Sequence, residues 1–285
     1  MSEVRTSVIL PAYQAWETLP AALEALRPQV DRPDRELVLV ESSGDASQQE
    51  LAERWPWLRV IAPKERMLPG RARNLAARDA RGELLAFTDA DAVVEPGWLD
   101  ELERALTKDV DGVAGAVLNG APQSMIGTAD YLLEFSDWLP RRRLRVLHGA
   151  TCNLLLRREI LDGEGFPEDV WPGEDTIVTF RVGVEGRLAF AAGACVRHVG
   201  RTRFRDFVDH QSQLGAAFAR VCETVEFPYR NLARARYWPL LPVFRLVRFG
   251  TRVRANSAAT KDALRASPLI VIGAIAWSAG LVRAR

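Results

Sequence analysis

Short apolar runs and amphipathic stretches alternate along the first 120 residues. Ser7-Val8-Ile9-Leu10 has the pattern of a buried strand and stops at Pro11, and apolar positions 19, 22, 23 and 26 follow at helical spacing. Further apolar runs at 37–40, 58–61, 83–88 and 112–118 read as strands. Between them, 48–55, 69–80 and 96–106 read as helices, the last two opening on a proline, whose missing N–H is not needed in a first turn. The middle of the chain is less regular. Residues 123–137 read as a helix, 152–156 as a strand, 174–184 as a helix, 188–196 as a strand and 204–221 as a long helix.

Strands alternating with helices predict an α/β fold around a mixed, mainly parallel sheet flanked by helices. Ligands of such sheets sit beyond the carboxyl ends of the strands. The residues that follow the apolar runs, Pro11-Ala12-Tyr13, Glu41-Ser42 and Asp89-Ala90-Asp91, are therefore expected along one rim.

Past Pro228 the character changes. Residues 237–253 are apolar with Arg245, Arg248 and Arg252 interspersed, and 268–282 is a run of 15 residues without a charge. A membrane-spanning helix needs about 20, so 15 predicts a buried, re-entrant or interfacial helix. The formal net charge of +1 conceals a division at the same place: residues 229–285 hold eleven basic residues and one acid, Asp262, a net of +10, against −9 for 1–228. Such a division suits nucleic acid or an anionic membrane. A solvated basic surface is the plainer alternative, which the apolar content of the tail argues against; an anionic membrane surface is the expected partner and no nucleic acid is expected. The sequence thus divides into a domain at 1–227, with halves at 1–120 and 121–227, and a basic, apolar helical tail at 228–285. A homodimer interface is the competing account of the apolar part.

Composition narrows the class. Hydrophobic residues make up 48% of the 285, enough to bury a core and to exclude a mostly disordered chain. Three cysteines, Cys152, Cys195 and Cys222, show no Cys-x-x-Cys spacing, which argues against a disulfide framework or structural zinc and for a reducing compartment. The first residues include an acid and no long apolar run, so they do not read as a secretory signal.

Several side chains could carry chemistry. Asp89 and Asp91, one residue apart after a strand, suit a divalent cation and the diphosphate it neutralises, because Mg²⁺ and Mn²⁺ prefer hard oxygen ligands. Alone, the pattern is more often a turn. Glu174-Asp175 opens a predicted helix, where the dipole favours acids in any case. In a site, one of the two would act as general base towards an acceptor hydroxyl and the other would orient the acceptor. Glu41 can accept hydrogen bonds from a nucleobase or ribose. Arg71 and Arg73, within Gly70-Arg71-Ala72-Arg73-Asn74, can meet a phosphate. His198 ends a predicted strand, and a lone histidine is more often structural than ligating.

Taken in order, these segments resemble glycosyltransferase family 2, whose members have a nucleotide-sugar-binding GT-A fold. SVILPAYQAWETLPAALEAL is similar to the opening strand, turn and helix, and LVLVESSGDAS to the strand with its acidic loop. PGRARNLAARDARGELLAFTDADAVVEPGWL is the closest match, and CNLLLRREIL followed by GFPEDVWPGEDTIVTFRV is similar to the acceptor-side segment with its Glu-Asp pair. The resemblance covers residues 5–222.

It implies Asp91 as main metal ligand, with Asp89 near the ribose or a metal-bound water. Glu41 would read the base, Pro11, Ala12 and Tyr13 would wall its pocket, and Arg71 and Arg73 would belong to the nucleotide side. Asp175 would be the catalytic base, with Glu174 and Trp171 on the acceptor side. His198 would be a further metal ligand, in place of the structural role. The implied reaction is a single inverting displacement dependent on Mn²⁺ or Mg²⁺. A UDP-sugar is the favoured donor. GDP- and dTDP-sugars stay open, because Glu41 stands where the family usually has Asp, and Ser42-Ser43 where it has an acid and a glycine. No Gln-x-x-Arg-Trp follows the Glu-Asp pair, which favours single addition over processive synthesis.

Joined to the tail, this predicts a lipid-linked or membrane-proximal acceptor of the cell envelope. The protein is expected to be peripheral or monotopic on the cytoplasmic side of the cell membrane. Two other functions compete. A sugar-phosphate nucleotidyltransferase would want a glycine-rich phosphate loop after the first strand, and PAYQAWE has no glycine. A non-catalytic sugar-nucleotide-binding membrane scaffold would have no need of Asp89, Asp91 and Asp175 together.

Overall fold

The computed structural model describes residues 4–141, 143–228, 230–231 and 238–284, with the side chains of all of these but 45–48 and 238. Tail positions 229, 232–237 and 285 fall outside the described residues, as does Arg142 of the basic run 141–145. Two compact units divide the chain: Met1–Gly115 with Leu144–Val196, and Ala116–Arg143 with Arg197–Arg285.

The first unit holds the sheet. Its elements are β1 (Thr6–Ala12), α1 (Leu19–Val30), β2 (Arg35–Glu41), α2 (Asp45–Arg54), β3 (Arg59–Ile61), α3 (Pro69–Asp79), β4 (Leu84–Phe87), β5 (Ala92–Val94), α4 (Trp98–Ala105), β6 (Gly112–Asn119), β7 (Leu154–Arg157), α6 (Glu174–Val184) and β8 (Leu188–His198). The last residues of β6 and β8 are counted with the second unit. The strand order is β3-β2-β1-β4-β7-β6-β8-β5. β1 pairs in parallel with β2 and β4, and β2 with β3, whereas β7 is antiparallel to both β4 and β6. The sheet is therefore mixed, as expected. Val8, Ile9, Leu10, Val38, Leu39, Val40 and Leu85 to Phe87 are fully buried, the continuous apolar runs that strands covered on both faces require.

Two local features account for the far half of the sheet. β5 was absent from the sequence reading because three residues show no periodicity. It is followed by a tie to β8, where the Glu95 amide donates to the Cys195 carbonyl at 2.9 Å. Asn153, buried before β7, accepts from Trp98 Nε1 and donates to the Ala194 carbonyl, both at 2.8 Å. A buried amide so satisfied fixes the register of what it joins.

The second unit contains α5 (Met125–Phe135), α7 (Phe204–Thr224), α8 (Leu241–Val253), α9 (Ser257–Arg265) and α10 (Ser267–Arg283). The tail expected to start at 228 is thus packed together with 116–143 and 197–227, and the expected boundaries at 120 and 227 do not coincide with the divisions after 115, 143 and 196. The reason is close helix packing. A methyl group on Gly215 of α7 would strike the backbone of Trp277, and one on Gly280 of α10 the backbone of Ser212. Among the described residues no single helix is long and apolar enough to cross a membrane; α9 and α10 meet that test only as a pair bent by 84°.

Candidate active site

The parallel pairings bring three strand ends to one edge of the first unit. Ala12 lies opposite Glu41, and Ile9 opposite Phe87, two residues before Asp89. The expected rim of Pro11-Ala12-Tyr13, Glu41-Ser42 and Asp89-Ala90-Asp91 is therefore assembled by strand register alone. Glu41 is buried, and its carboxylate accepts from the Ser43 amide at 3.0 and 3.1 Å and from the Ser43 hydroxyl. Ser43 Oγ in turn accepts from the Gln14 amide at 2.6 Å, closing the β1 and β2 ends on each other. Tyr13 is exposed and carries the Arg66 guanidinium 4.5 Å above its ring.

Helix α3 explains the Gly-Arg-Ala-Arg-Asn segment. Gly70, Arg73 and Asn74 stand at i, i+3 and i+4, on one helix face. A Cβ at Gly70 would lie 2.5 Å from the Pro167 carbonyl, so only glycine lets the chain at 166–167 pass so close. Asn74 clamps Phe166 by both edges, Nδ2 to the carbonyl at 2.8 Å and Oδ1 from the amide at 2.9 Å. Arg73 is buried between two carboxylates: Nη2 donates to Asp89 Oδ1 at 2.7 Å and Nη1 to Glu174 Oε1 at 2.6 Å. Expected to face a phosphate, Arg73 is instead committed to side chains of the protein. Arg71 remains half-exposed, 3.8 Å from Glu168.

Glu174 and Asp175 open α6, after Gly173 at φ 110°, a left-handed conformation that glycine adopts freely. Asp175 is held in place by the Thr176 amide at 2.6 Å on Oδ1 and the Thr151 amide at 3.3 Å on Oδ2. Burial raises the Asp175 carboxyl above the usual aspartate range, against the pull of Arg73. Burial also pushes Glu174 up to about 7, with Arg73 pulling it down and Asp175 adding repulsion. The same carboxylates keep Arg73 firmly protonated although burial opposes its charge. Trp171 is exposed three residues before Glu174.

Asp89 and Asp91 are half-buried, and each offers a carboxylate oxygen within 4.8 Å of the other. Arg73 occupies one oxygen of Asp89. Two hard oxygen donors so close together fit a Mg²⁺- or Mn²⁺-sized ion. His198 ends β8 and is described with the second unit, where its ring lies 4.7 Å from that of Phe135.

The sequence reading missed the roles of Asn74 and Thr151, and it missed a second cluster, Asp130, Glu134 and His210. His210 Nε2 lies 3.0 Å from Glu134, while the Arg201 amide and Gln211 Nε2 each donate to Asp130 at 3.0 Å. Burial opposes ionisation of Glu134, but His210 and Arg201 hold it down at about 2. Residues 130 and 134 share one helix face, a signal that spacing could have supplied; their partner at 210 was not legible.

A mixed sheet with helices on it and a carboxylate-lined rim past parallel strand ends defines a GT-A glycosyltransferase fold. The chain belongs to glycosyl transferase family 2, whose model matches residues 7–162, more than half of its length. It is 24% identical over 247 residues to the glycosyltransferase AglE of Haloferax volcanii, covering 82% of this chain and 80% of that one. It is 32% identical over 216 residues to human polypeptide N-acetylgalactosaminyltransferase 15, covering 66% of this chain and 33% of that protein. Among solved structures, the mannosyltransferase PcManGT of Pyrobaculum calidifontis, in complex with GDP-Man and Mn²⁺, superposes with a TM-score of 0.64 at 18% identity, over 100% of this chain and 88% of that one. TarS of S. aureus gives 0.54 at 17% identity, over 98% and 91%, and has also been solved with UDP and with UDP-GlcNAc. The protein is a glycosyltransferase, which sets aside the nucleotidyltransferase and the non-catalytic scaffold.

Proposed function

We propose that this transferase moves one sugar, with inversion, from a nucleotide-sugar to a hydroxyl or phosphate of a lipid-linked or membrane-proximal acceptor, on the cytoplasmic side of a membrane. The observation that carries the reading is the Arg73 fork, which ties Asp89 at the donor end of β4 to Glu174 beside Asp175. One buried cation thus couples the two carboxylate motifs across the rim.

In this reading Asp175 takes the proton from the acceptor hydroxyl. Its raised pKa makes it a better base near neutral pH than an ordinary carboxylate. The acceptor oxygen attacks the anomeric carbon as the bond to the diphosphate breaks, and the nucleoside diphosphate leaves. Asp91 and Asp89 hold the divalent cation, with His198 a further ligand by the family resemblance. When bound, that cation neutralises the departing diphosphate. Glu174 stays tied to Arg73 and, with Trp171, borders the acceptor side. Pro11, Ala12, Tyr13 and Glu41 border the base, and Arg71, half-exposed in the first turn of α3, serves the nucleotide side.

UDP-sugars are the first donors to try. PcManGT is complexed with GDP-Man and TarS with UDP-GlcNAc, so both base classes occur among the structural neighbours. The test is a thermal-shift panel of UDP-, GDP- and dTDP-sugars with and without Mn²⁺, since a ligand of the folded state raises the melting point by mass action. One donor stabilising in a Mn²⁺-dependent way is expected. No shift with any donor, or shifts indifferent to metal, would overturn the metal-dependent reading.

A further inference from the structure

A helix on a water-facing surface usually turns its arginines outward and its valines inward. At its middle, α8 does the reverse. Arg245 points into the second unit, donating to Gln211 Oε1 at 2.7 Å and to the Gly273 carbonyl at 3.3 Å, with its guanidinium 4.8 Å from the Trp277 ring centre. Arg252 is likewise turned in and pairs with Asp137 at 2.6 Å. On the other face Val243 and Val247 are 56% and 63% exposed, and Leu240, just before the helix, is 59% exposed. Their spacing of three and four places them in one stripe.

α10 repeats the arrangement. Ile270, Gly273, Ala274, Gly280 and Leu281 are buried, while Val271, Ile272, Ile275 and Val282 are exposed along the opposite side. No charged residue occurs from Ser267 to Val282. Scattered exposed apolar residues are ordinary, but two stripes on helices packed against each other form a patch of the kind that marks a binding surface. Among the described residues of 238–284 the exposed charges, Arg254, Lys261, Arg265 and Arg283, are all basic, and Asp262 is the one acid of 229–285.

We propose that the outer faces of α8 and α10 form a docking surface for an anionic lipid bilayer. The apolar stripes enter the boundary between headgroups and acyl chains, and the basic groups meet the headgroups. A second copy of the chain would cover the stripes equally well. It would also set basic residues against basic residues, which a negatively charged bilayer does not. With one face of α10 buried on α7, the helix lies along the surface rather than through it. This surface belongs to the second unit and stands whether or not the first unit transfers a sugar.

The test is co-sedimentation of the full chain with vesicles of phosphatidylcholine alone and of phosphatidylcholine with phosphatidylglycerol, at low and high salt. Binding should require the anionic lipid, and salt should weaken it without abolishing it. Arg254→Gln and Lys261→Gln should each weaken it roughly fivefold. The combined variant Val243→Gln, Val247→Gln, Ile275→Gln should weaken it at least about tenfold, with unchanged circular dichroism, melting and donor-induced thermal shift. Absence of binding, equal binding to neutral vesicles, or full binding by the combined variant would overturn the proposal. So would a concentration-dependent dimer, without vesicle binding, that the combined variant makes monomeric.

Discussion

Arg73 and Glu174 are 101 positions apart in the chain and meet at 2.6 Å in the interior of the first unit. The same guanidinium holds Asp89 at 2.7 Å. Removing one partner of a buried ion pair leaves an uncompensated charge and costs about 3–5 kcal/mol. Arg73→Gln should therefore lower stability by that order in urea unfolding, and Arg73→Lys should recover only part of it, because an ammonium cannot fork to both carboxylates. A Gln variant as stable as the wild type would show that the pair is neutral when the cation is absent.

Glu174 supplies a pH signature. Its folded-state carboxyl sits at about 7 against an ordinary 4.5, so between those values the folded chain binds more protons than the unfolded one. Its contribution is fully present below pH 4.5 and is lost as pH rises through 7. Relative to Glu174→Gln, the wild type should lose on the order of 3 kcal/mol between pH 4 and pH 8. Parallel stability curves for the two proteins would contradict the assignment.

Asp175→Asn keeps the size and, with its one carbonyl oxygen, one of the two backbone hydrogen bonds from Thr151 and Thr176, but removes the proton acceptor. Turnover should fall at least about 10²-fold, while donor affinity stays within a few-fold. In the wild type, the acid limb of the rate profile should lie above the usual aspartate range, as the raised carboxyl requires. Loss of donor binding with turnover intact at saturation would place Asp175 in the nucleotide site.

The Arg73 fork is made to Asp89 and Glu174, so Asp91→Ala leaves both of its bonds in place. It should abolish Mn²⁺-dependent donor stabilisation and turnover without lowering the melting temperature. His198→Ala should raise the Mn²⁺ concentration needed for half-maximal activity more mildly. An unchanged Mn²⁺ titration would leave His198 to its packing on Phe135.

Truncation after Phe227 reads differently in the structure than in the sequence. A detachable tail would leave a more soluble domain. Here α10 covers Gly215 on α7 and lies against Leu133 and Phe207 around Gly273. The shortened chain should lose cooperative melting of the second unit and self-associate in light scattering. A monodisperse, cooperatively melting fragment would restore the detachable tail.

The sequence alone determined the alternation of strands and helices and the strand-end placement of Glu41 and Asp89-Ala90-Asp91. It also showed the helix opening on Glu174-Asp175, because periodicity and chain breaks are local properties. Helix α6 begins and ends at the residues the pattern marked, whereas β5 and the insertion of β7 between β4 and β6 had no local signal, since pairing partners lie far along the chain. Only the tertiary structure decided what each charge does. Arg71 and Arg73 are two residues apart on one helix, yet one stays half-exposed and the other is buried between carboxylates 16 and 101 positions away. Arg245 and Arg252 stand interspersed among apolar residues in the sequence, and it is Gln211 and Asp137 that turn them inward and leave valines outside. A side chain's charge is written in the sequence. Whether that charge meets water or a buried partner depends on desolvation and long-range packing, which only the folded chain sets.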